Sequence, residues 1–459
     1  MAFTKMIPST KVPVVILGAG LSGLTATQSL SDGHLIIEKE SQSGGMARTV
    51  EKDGYRFDYT GHLLHLHEPV MVKWLTELLG KNLKCIERKA WIRSHDTYSR
   101  YPFQVNTFPL PQWVKDECVL EFQKALRVPP GRITVRQPFS EWVMSTFGKG
   151  FAKHFFFPYN QKLWTVPPDK LTCEWVVPFV PRPNLDEVVR GATTDCKEEF
   201  GYNARFNYPL HGGIQSLVNA YIKTRRPNVE YNTQVFTVDV AEHIVTTLNR
   251  LTGVKRTIEY DHLVSTIPLP ELAKCVSVLS NNLSRHVDKL RWTSVMCFNI
   301  GVRRENVGDG KHWVYFPESQ YPFYRVGFYH NIAKSLVPKG RSSMYVECSV
   351  SPDVSLTPTK KADMLFACLD GLRDCGLIEN SNEIETVVDM HIPYAYVIYD
   401  VNRTAAVTEL ISFFNSRDVH CIGRYGSWKY SFMESDMMEA LMLSEKLKGG
   451  LSYDIDRSN

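Results

Sequence analysis

Val14-Val15-Ile16-Leu17 is an unbroken apolar run that stops on a glycine. A run without polar alternation predicts a parallel strand buried on both faces. Leu35-Ile36-Ile37 repeats the signature and stops on Glu38; between the two runs a helix is predicted to start near Leu21. Residues 53–58 predict a small hairpin with Gly54 at its turn. Residues 69–170 are mostly helical in their apolar spacing, most plainly over 70–79 and 139–147. The pattern becomes strand-like over 229–264, where Val235, Phe236, Val238 and Val240 mark β structure. Residues 292–302, 313–316, 324–329 and 343–350 predict a further sheet, and 433–447 a C-terminal helix. Proline and glycine punctuate the chain at 129–131, 178–183 and 338–340, with no internal repeat. The mixture is α/β.

Composition narrows the class. The chain has 459 residues, 43% hydrophobic and 22% charged, enough for a large core and about two or three domains. Its net charge is only +4 and no Lys/Arg stripe runs along it, which argues against a nucleic-acid partner. A basic pocket for a small anion stays compatible. Ten cysteines stand singly, without a C-x-x-C pair, so they predict free thiols in a reducing compartment and no metal site. Two lysines before the first apolar run resemble the head of a short signal peptide. That run leads directly into a glycine turn, so it reads as a strand. No stretch reaches the roughly 18 apolar residues of a membrane span. A cytoplasmic protein without membrane insertion is expected.

The turn after the first strand carries chemistry. Gly18-Ala19-Gly20-Leu21-Ser22-Gly23 is G-x-G-x-x-G. Gly18 permits a tight turn, Gly20 lets backbone approach a pyrophosphate, and Gly23 lets the helix pack on the strand. The helix starting near Leu21 offers free N–H groups to that pyrophosphate. Glu38 lies 20 residues beyond Gly18, where a carboxylate can accept from ribose hydroxyls. Strand, turn, helix, strand and acid arrive in order, which a bare glycine turn does not explain.

A second glycine pair follows in Gly44-Gly45-Met46-Ala47-Arg48. With Gly423-Arg424-Tyr425-Gly426-Ser427-Trp428 near the C-terminus, and a strand and turn over 261–268, this resembles the glutathione-reductase-like FAD enzymes, especially flavin amine oxidases and their relatives. The resemblance implies a Rossmann-like FAD-binding domain of residues 1–75, 205–270 and 405–459. A mainly helical substrate lid of 76–204 and an antiparallel β-sheet substrate domain of 271–404 would complete it. It places Gly18, Gly20, Leu21, Ser22, Gly23, Glu38, Gly45, Met46, Arg48, Gly61, Val235, Gly423, Arg424, Tyr425 and Ser435 on FAD.

Three longer stretches narrow the resemblance: residues 158–185 (PYNQKLWTVPPDKLTCEWVVPFVPRPNL), 201–217 (GYNARFNYPLHGGIQSL) and 311–331 (KHWVYFPESQYPFYRVGFYHN). Together with TGHLLH at 60–65 and GRYGSWKY at 423–430, they resemble the UDP-galactopyranose mutase family in its eukaryotic-type branch, over nearly the whole chain. The resemblance implies that reduced FAD acts as a nucleophile: its N5 attacks the anomeric carbon of a UDP-sugar and UDP leaves. The ring then opens and recloses, exchanging pyranose and furanose forms without net redox change, after reduction of the flavin by NAD(P)H. It assigns Arg325, Tyr396 and Tyr430 to the substrate diphosphate, and Tyr101, Phe103, Gln104 and Tyr315 to uracil. Asn160, Trp164 and Asn203 fall on sugar and diphosphate, and His62 on the flavin face. Each also has a plain structural reading: Tyr315 and Tyr396 as core aromatics, Trp164 as packing, Arg325 as a surface cation, His62 as a structural histidine.

Two positions depart from that family. Phe179 stands where a second phosphate arginine is expected, with Arg182 three residues on as its candidate replacement; Ile332 stands where a substrate tyrosine is usual. Losing one charged donor costs about 1.5–3 kcal/mol if nothing replaces it. A related substrate such as UDP-arabinopyranose is therefore open beside UDP-galactose, as is a homo-oligomer. So are two other functions: an amine-oxidase- or protoporphyrinogen-oxidase-like oxidoreductase, and a catalytically altered nucleotide-binding flavoprotein.

Overall fold

The apolar run of residues 14–17 lies at the centre of a seven-stranded sheet. The computed structural model describes residues 6–30, 33–127, 134, 136–176, 180–195 and 204–455. In this first sheet the order is Thr233–Asp239, Ile244–Asn249, Lys255–Ser265, Met6–Leu17, His34–Ile37, Val229–Glu230; Val419–Cys421 pairs with Lys255–Ser265 beside that path. Val14, Val15 and Ile16 have no exposed surface, as a strand covered on both faces requires. The strand starts at Met6, well before the apolar run, because it pairs in parallel with Lys255–Ser265 along almost its whole length. Inter-strand hydrogen bonds hold those earlier residues, and they leave no apolar signature. The predicted hairpin is present as Thr49–Lys52 and Tyr55–Asp58, with Asp53 at φ 53° and Gly54 at φ 80°. Two left-handed residues make the loop whose twist matches the strands.

A second seven-stranded sheet runs Ile384–Val397, Trp292–Val302, Ser342–Val350, Arg325–Phe328, Trp313–Tyr315, Ala90–Ser94, Thr97–Arg100. Its longest predicted strand, Trp292–Val302, second from one edge, has the predicted bounds. The stretch expected to be mostly helical is corrected in part: Leu83–Glu87, Ala90–Ser94 and Thr97–Arg100 are strands. Ala90–Ser94 gains its partner from Trp313–Tyr315, far away in sequence, and local periodicity does not carry such a pairing.

The helices Gln112–Arg127, Phe139–Phe151 and Phe157–Trp164 pack beside this sheet and bury Phe139, Trp142, Phe147 and Phe151. Lys162 ties them to it. Its Nζ donates to the carbonyls of Phe316 (2.8 Å), Glu318 (2.5 Å) and Phe323 (3.1 Å), so one ammonium fixes the loop that delivers Arg325. Among the described residues no helix is long and apolar enough to cross a membrane.

Asp58 closes the hairpin and is 1% exposed. It accepts from the hydroxyls of Thr49 and Tyr208, both at 2.6 Å, and from Ile214 N–H at 3.3 Å. Burial outweighs these donors and pushes its carboxyl up to about 6. The folded chain therefore holds this proton more tightly than the unfolded chain, where aspartate titrates near 4. The stabilisation, about 3 kcal/mol, is complete below about pH 4 and is lost as pH rises through about 6. Urea unfolding of wild type and Asp58→Asn is expected to show their stability difference moving by about this amount in the variant's favour between pH 4 and 7.5. A difference that does not move with pH refutes the assignment.

Candidate active site

The cofactor end is built from two interlocked glycine turns. Gly18 leaves the first strand at φ 97°, its N–H donating to Ile37 O at 2.9 Å. Gly44 N–H donates to Ala19 O at 2.8 Å, and Gly20 and Gly44 form a β-bridge. A Cβ on Gly23 would overlap the Gly18 carbonyl oxygen, so this position fits only glycine. At Gly20 the nearest atom to an added Cβ is Gly45 Cα, 3.8 Å away, which leaves bare backbone for a diphosphate to approach. Glu38 is 6% exposed; Oε2 accepts from Ala19 N–H at 2.7 Å and Oε1 from Glu40 N–H at 2.9 Å. It thus holds the turn, and each oxygen retains acceptor capacity for a ribose hydroxyl.

Around that cradle, Arg48 donates to Gly45 O at 2.8 Å and to the Tyr59 hydroxyl at 3.1 Å. Leu21 and Met46 are partly buried against the core. Gly423 packs on Ser22, bringing the C-terminal segment onto the first helix. Ser435 lies in the first turn of the C-terminal helix Met433–Ile455, its Oγ accepting from Phe432 N–H at 3.1 Å. Val235 lies beside a register shift of the first sheet's outer hairpin. The fit is to a dinucleotide such as FAD.

From the hairpin the chain runs into Tyr59-Thr60-Gly61-His62. Thr60 is held at φ 97°, a strained angle for a β-branched residue. His62 N–H donates to Thr60 O at 3.0 Å. Its imidazole is pushed down to about 4, first by burial and then by the guanidiniums of Arg424 and Arg325. His62, Arg325 and Arg424 therefore share one neighbourhood.

Arg325 is held by Glu347, which is 0% exposed: Nη2 donates to Oε1 at 2.8 Å and Nε to Oε2. Arg424 is held otherwise, by the carbonyls of Ser431 (2.8 Å) and Ala395 (3.0 Å), and lies 5.3 and 5.2 Å from the ring centroids of Tyr396 and Tyr430. Tyr425, next in sequence, is raised by burial. Tyr396 is also raised and Tyr430 is pushed up to about 12, both by burial. All three stay protonated at neutral pH.

A belt of rings links these groups to the far end. Tyr396 Oη is 3.5 Å from Tyr324 Oη, Tyr159 meets Tyr324 and Tyr315 edge-on, and Tyr315 lies 5.5 Å from Tyr101. Arg88 stacks over Tyr101 at 5.0 Å. Trp164 is fully buried against Tyr396 and Tyr430; its Nε1 donates to Asn160 Oδ1 at 3.1 Å, and Asn160 donates to Phe156 O at 2.8 Å.

Other expected site residues stand behind the belt. Phe103 has no exposed surface and stacks on Phe155, while Gln104, 2% exposed, donates to Pro181 O at 2.7 Å. Arg182 is exposed, 5.9 Å from the Trp142 ring centroid. Ile332 is 6% exposed in the core. Asn203 and Phe179 lie outside the described residues. Sequence reading missed Glu347, Tyr345, Tyr159 and Tyr324. A lone carboxylate inside the otherwise buried strand Ser342–Val350 was the available signal for Glu347.

A sequence profile described as flavin containing amine oxidoreductase matches residues 21–349. Among solved structures, a reduced UDP-galactopyranose mutase is similar with TM-score 0.87 and 24% identity, over 96% of each chain. A protein assigned as a protoporphyrinogen oxidase from Exiguobacterium sp. 255-15 gives 0.72 and 13%, over 96% of this chain and 99% of that one. A putrescine oxidase with bound putrescine gives 0.63 and 16%, again over 96% and 99%. These likenesses establish the FAD-dependent, amine-oxidase-like α/β fold expected from the sequence.

Gly61 carries a direct test of the geometry. A Cβ there would lie 2.5 Å from Tyr345 Oη and 3.0 Å from its Cζ. Gly61→Ala is expected to cost about 1–3 kcal/mol of stability, read as a lowered thermal midpoint, and Tyr345→Phe in the same chain to restore part of it. A double variant no better than the single one would locate the requirement for glycine elsewhere.

Proposed function

The chain belongs to the flavin-containing amine oxidoreductase family, and within it we propose that it is an FAD-dependent nucleotide-sugar mutase interconverting the pyranose and furanose forms of a UDP-sugar. The sign of charge in the site carries this reading. Glu347 is committed to Arg325, and burial pushes up the Asp436 carboxyl near Arg424. With Arg88 at the far end, three guanidiniums stand along the belt, Arg325 among them in an ion pair with Glu347. Two unit charges 4 Å apart interact by about 4 kcal/mol at an effective dielectric constant of 20, so such a site favours an anion over an amine. The same rings could cage a cation, but the guanidiniums oppose one.

When bound and reduced, FAD would supply a nucleophilic nitrogen for the anomeric carbon, with UDP as the leaving group. The chain's own groups do the rest. The two glycine turns and Glu38 would hold the dinucleotide, and Gly61-His62 would face its flavin. Arg325 presents a fork to the substrate diphosphate, oriented by Glu347. Tyr396 and Tyr430 donate to phosphate oxygens, steadying charge on UDP as it leaves. Tyr101 and Tyr315 flank uracil, with Phe103 and Gln104 bracing them; Asn160 and Trp164 brace the diphosphate side. Arg182, exposed beside Trp142, is the candidate for the phosphate role expected at position 179. Ile332, turned into the core, removes one polar group from the sugar side, consistent with UDP-galactose or a smaller relative such as UDP-arabinose. NAD(P)H is the proposed reductant and the cytoplasm the proposed setting.

The test is anaerobic mixing of dithionite-reduced holoprotein with UDP-galactopyranose or UDP-arabinopyranose, with furanose product read by chromatography. Flavin reduction by an amine or a porphyrinogen without dithionite would replace the proposal with an oxidase. Arg325→Ala is a poor probe, since it strands Glu347 and is expected to destabilise by about 3–5 kcal/mol. Arg325→Lys keeps a cation there and removes the fork. Its turnover is expected to fall on the order of 100-fold with the flavin spectrum unchanged. Unchanged turnover would take Arg325 off the diphosphate.

A further inference from the structure

We propose that His262, Asp418 and His420 form a divalent-cation site, of the kind that takes Zn²⁺, clamping two strands of the first sheet. The three residues meet where Lys255–Ser265 changes neighbour. Up to Tyr260 this strand bonds towards the hairpin, Tyr260 N–H donating to His243 O at 2.9 Å; from Leu263 it bonds to the C-terminal segment, Leu263 N–H donating to Asp418 O at 2.9 Å. His262 stands in the gap, and Val264 pairs with His420 in parallel register.

Two of the three separations fit a metal. One ligand atom from each residue can be chosen so that all three lie within 4.8 Å of one another. His420 Nε2 is 3.4 Å from His262 Nδ1, which is 3.6 Å from Asp418 Oδ1. Zinc bonds of 2.0–2.2 Å at tetrahedral angles place ligand atoms about 3.3–3.6 Å apart. Protons satisfy the cluster poorly. His262 Nδ1 faces two partners, and one N–H serves only one of them. If His420 donates instead, His262 Nδ1 presents a lone pair to a carboxylate. A cation engages all three lone pairs together. Two imidazoles with one carboxylate select zinc-like metals over Mg²⁺ or Ca²⁺.

All three side chains keep some exposure, so solvent can deliver the ion and fill a fourth position. Lys446, on the C-terminal helix, is a cation within electrostatic reach of His420, and the Asp418 carboxylate offsets it. The clamp would act on the cofactor site from behind. A few residues on, the same strands deliver Thr266 to the Leu17 carbonyl and Gly423 to Ser22. Sequence spacing hid the site: Asp418 and His420 are neighbours, while His262 lies far up the chain.

The experiment uses the full chain with FAD bound, stripped of metal by dialysis against a chelator. Zn²⁺ titrated against a chromophoric competitor is expected to bind at one equivalent with a Kd on the order of micromolar or tighter, and to raise the thermal midpoint. Co²⁺ is expected to give the strong visible band of a tetrahedral site, to the red of the flavin. His262→Gln and His420→Gln should each weaken Zn²⁺ binding about ten-fold or more while the flavin spectrum stays intact. Less than one equivalent bound, a weak six-coordinate Co²⁺ spectrum, or undiminished affinity in the double variant overturns the proposal.

Discussion

Three strand ends decide where this protein can hold a ligand. Leu17 pairs with Ser265, and Ser265 with Cys421, so three distant pieces of chain finish side by side. Ligands of open parallel sheets bind beyond the carboxyl ends of their strands. Here those ends release Gly18, Thr266 and Gly423 into one small volume, stitched by Thr266 Oγ1 to Leu17 O at 2.8 Å and Ile422 N–H to Ser265 O at 3.0 Å. Arg424 follows at once. A one-residue slip of Val419–Cys421 would turn its buried faces outward and move that guanidinium off the site. The placement of that guanidinium is thus a consequence of register in the first sheet.

The two central arginines are restrained by different chemistry, which divides their work. A carboxylate fork fixes Arg325 in direction and cancels much of its charge. Carbonyls and tyrosine faces fix Arg424, and among the described residues no direct ion pair cancels its charge. A diphosphate entering between them would meet shape from the first and field from the second. Burying Glu347 is costly on its own; the fork is what makes it tolerable, and the fork also keeps Arg325 from folding away to solvent.

How much of this was legible follows from the range of each signal. The first strand, the glycine turn, the hairpin at Gly54 and the strand 292–302 depend on neighbours in sequence, and their residues announce them. Leu83–Glu87, Ala90–Ser94 and Thr97–Arg100 depend on partners far along the chain, so helical spacing misled there. Among site residues, Arg325, Tyr396, Tyr430, Arg424 and His62 do gather, as the motifs implied. Phe103 was indistinguishable by type from a ligand-stacking ring, and burial alone shows it bracing the belt from behind. Glu38 could be placed at the turn but not credited with holding it, because its partner Ala19 N–H is defined only once the strand closes. Tyr159 and Tyr324 stand one residue from Asn160 and Arg325, and nothing in their spacing separates a belt ring from any other aromatic.

His62 completes the electrostatic argument. A protonated imidazole would be a further cation beside Arg325 and Arg424, in a place where burial already disfavours charge. Held near pKa 4, it is neutral across the working range, and its Nδ1 lies 3.5 Å from the Thr60 hydroxyl. The tyrosines, raised by burial, keep their protons over the same range. From about pH 5 to 8 neither His62 nor these tyrosines change charge, and the guanidiniums do not titrate there. The strained Thr60 fits this picture. It turns Gly61 against Tyr345 and places His62 close to both arginines, spending local backbone strain to keep an uncharged polar group where a charged one would repel.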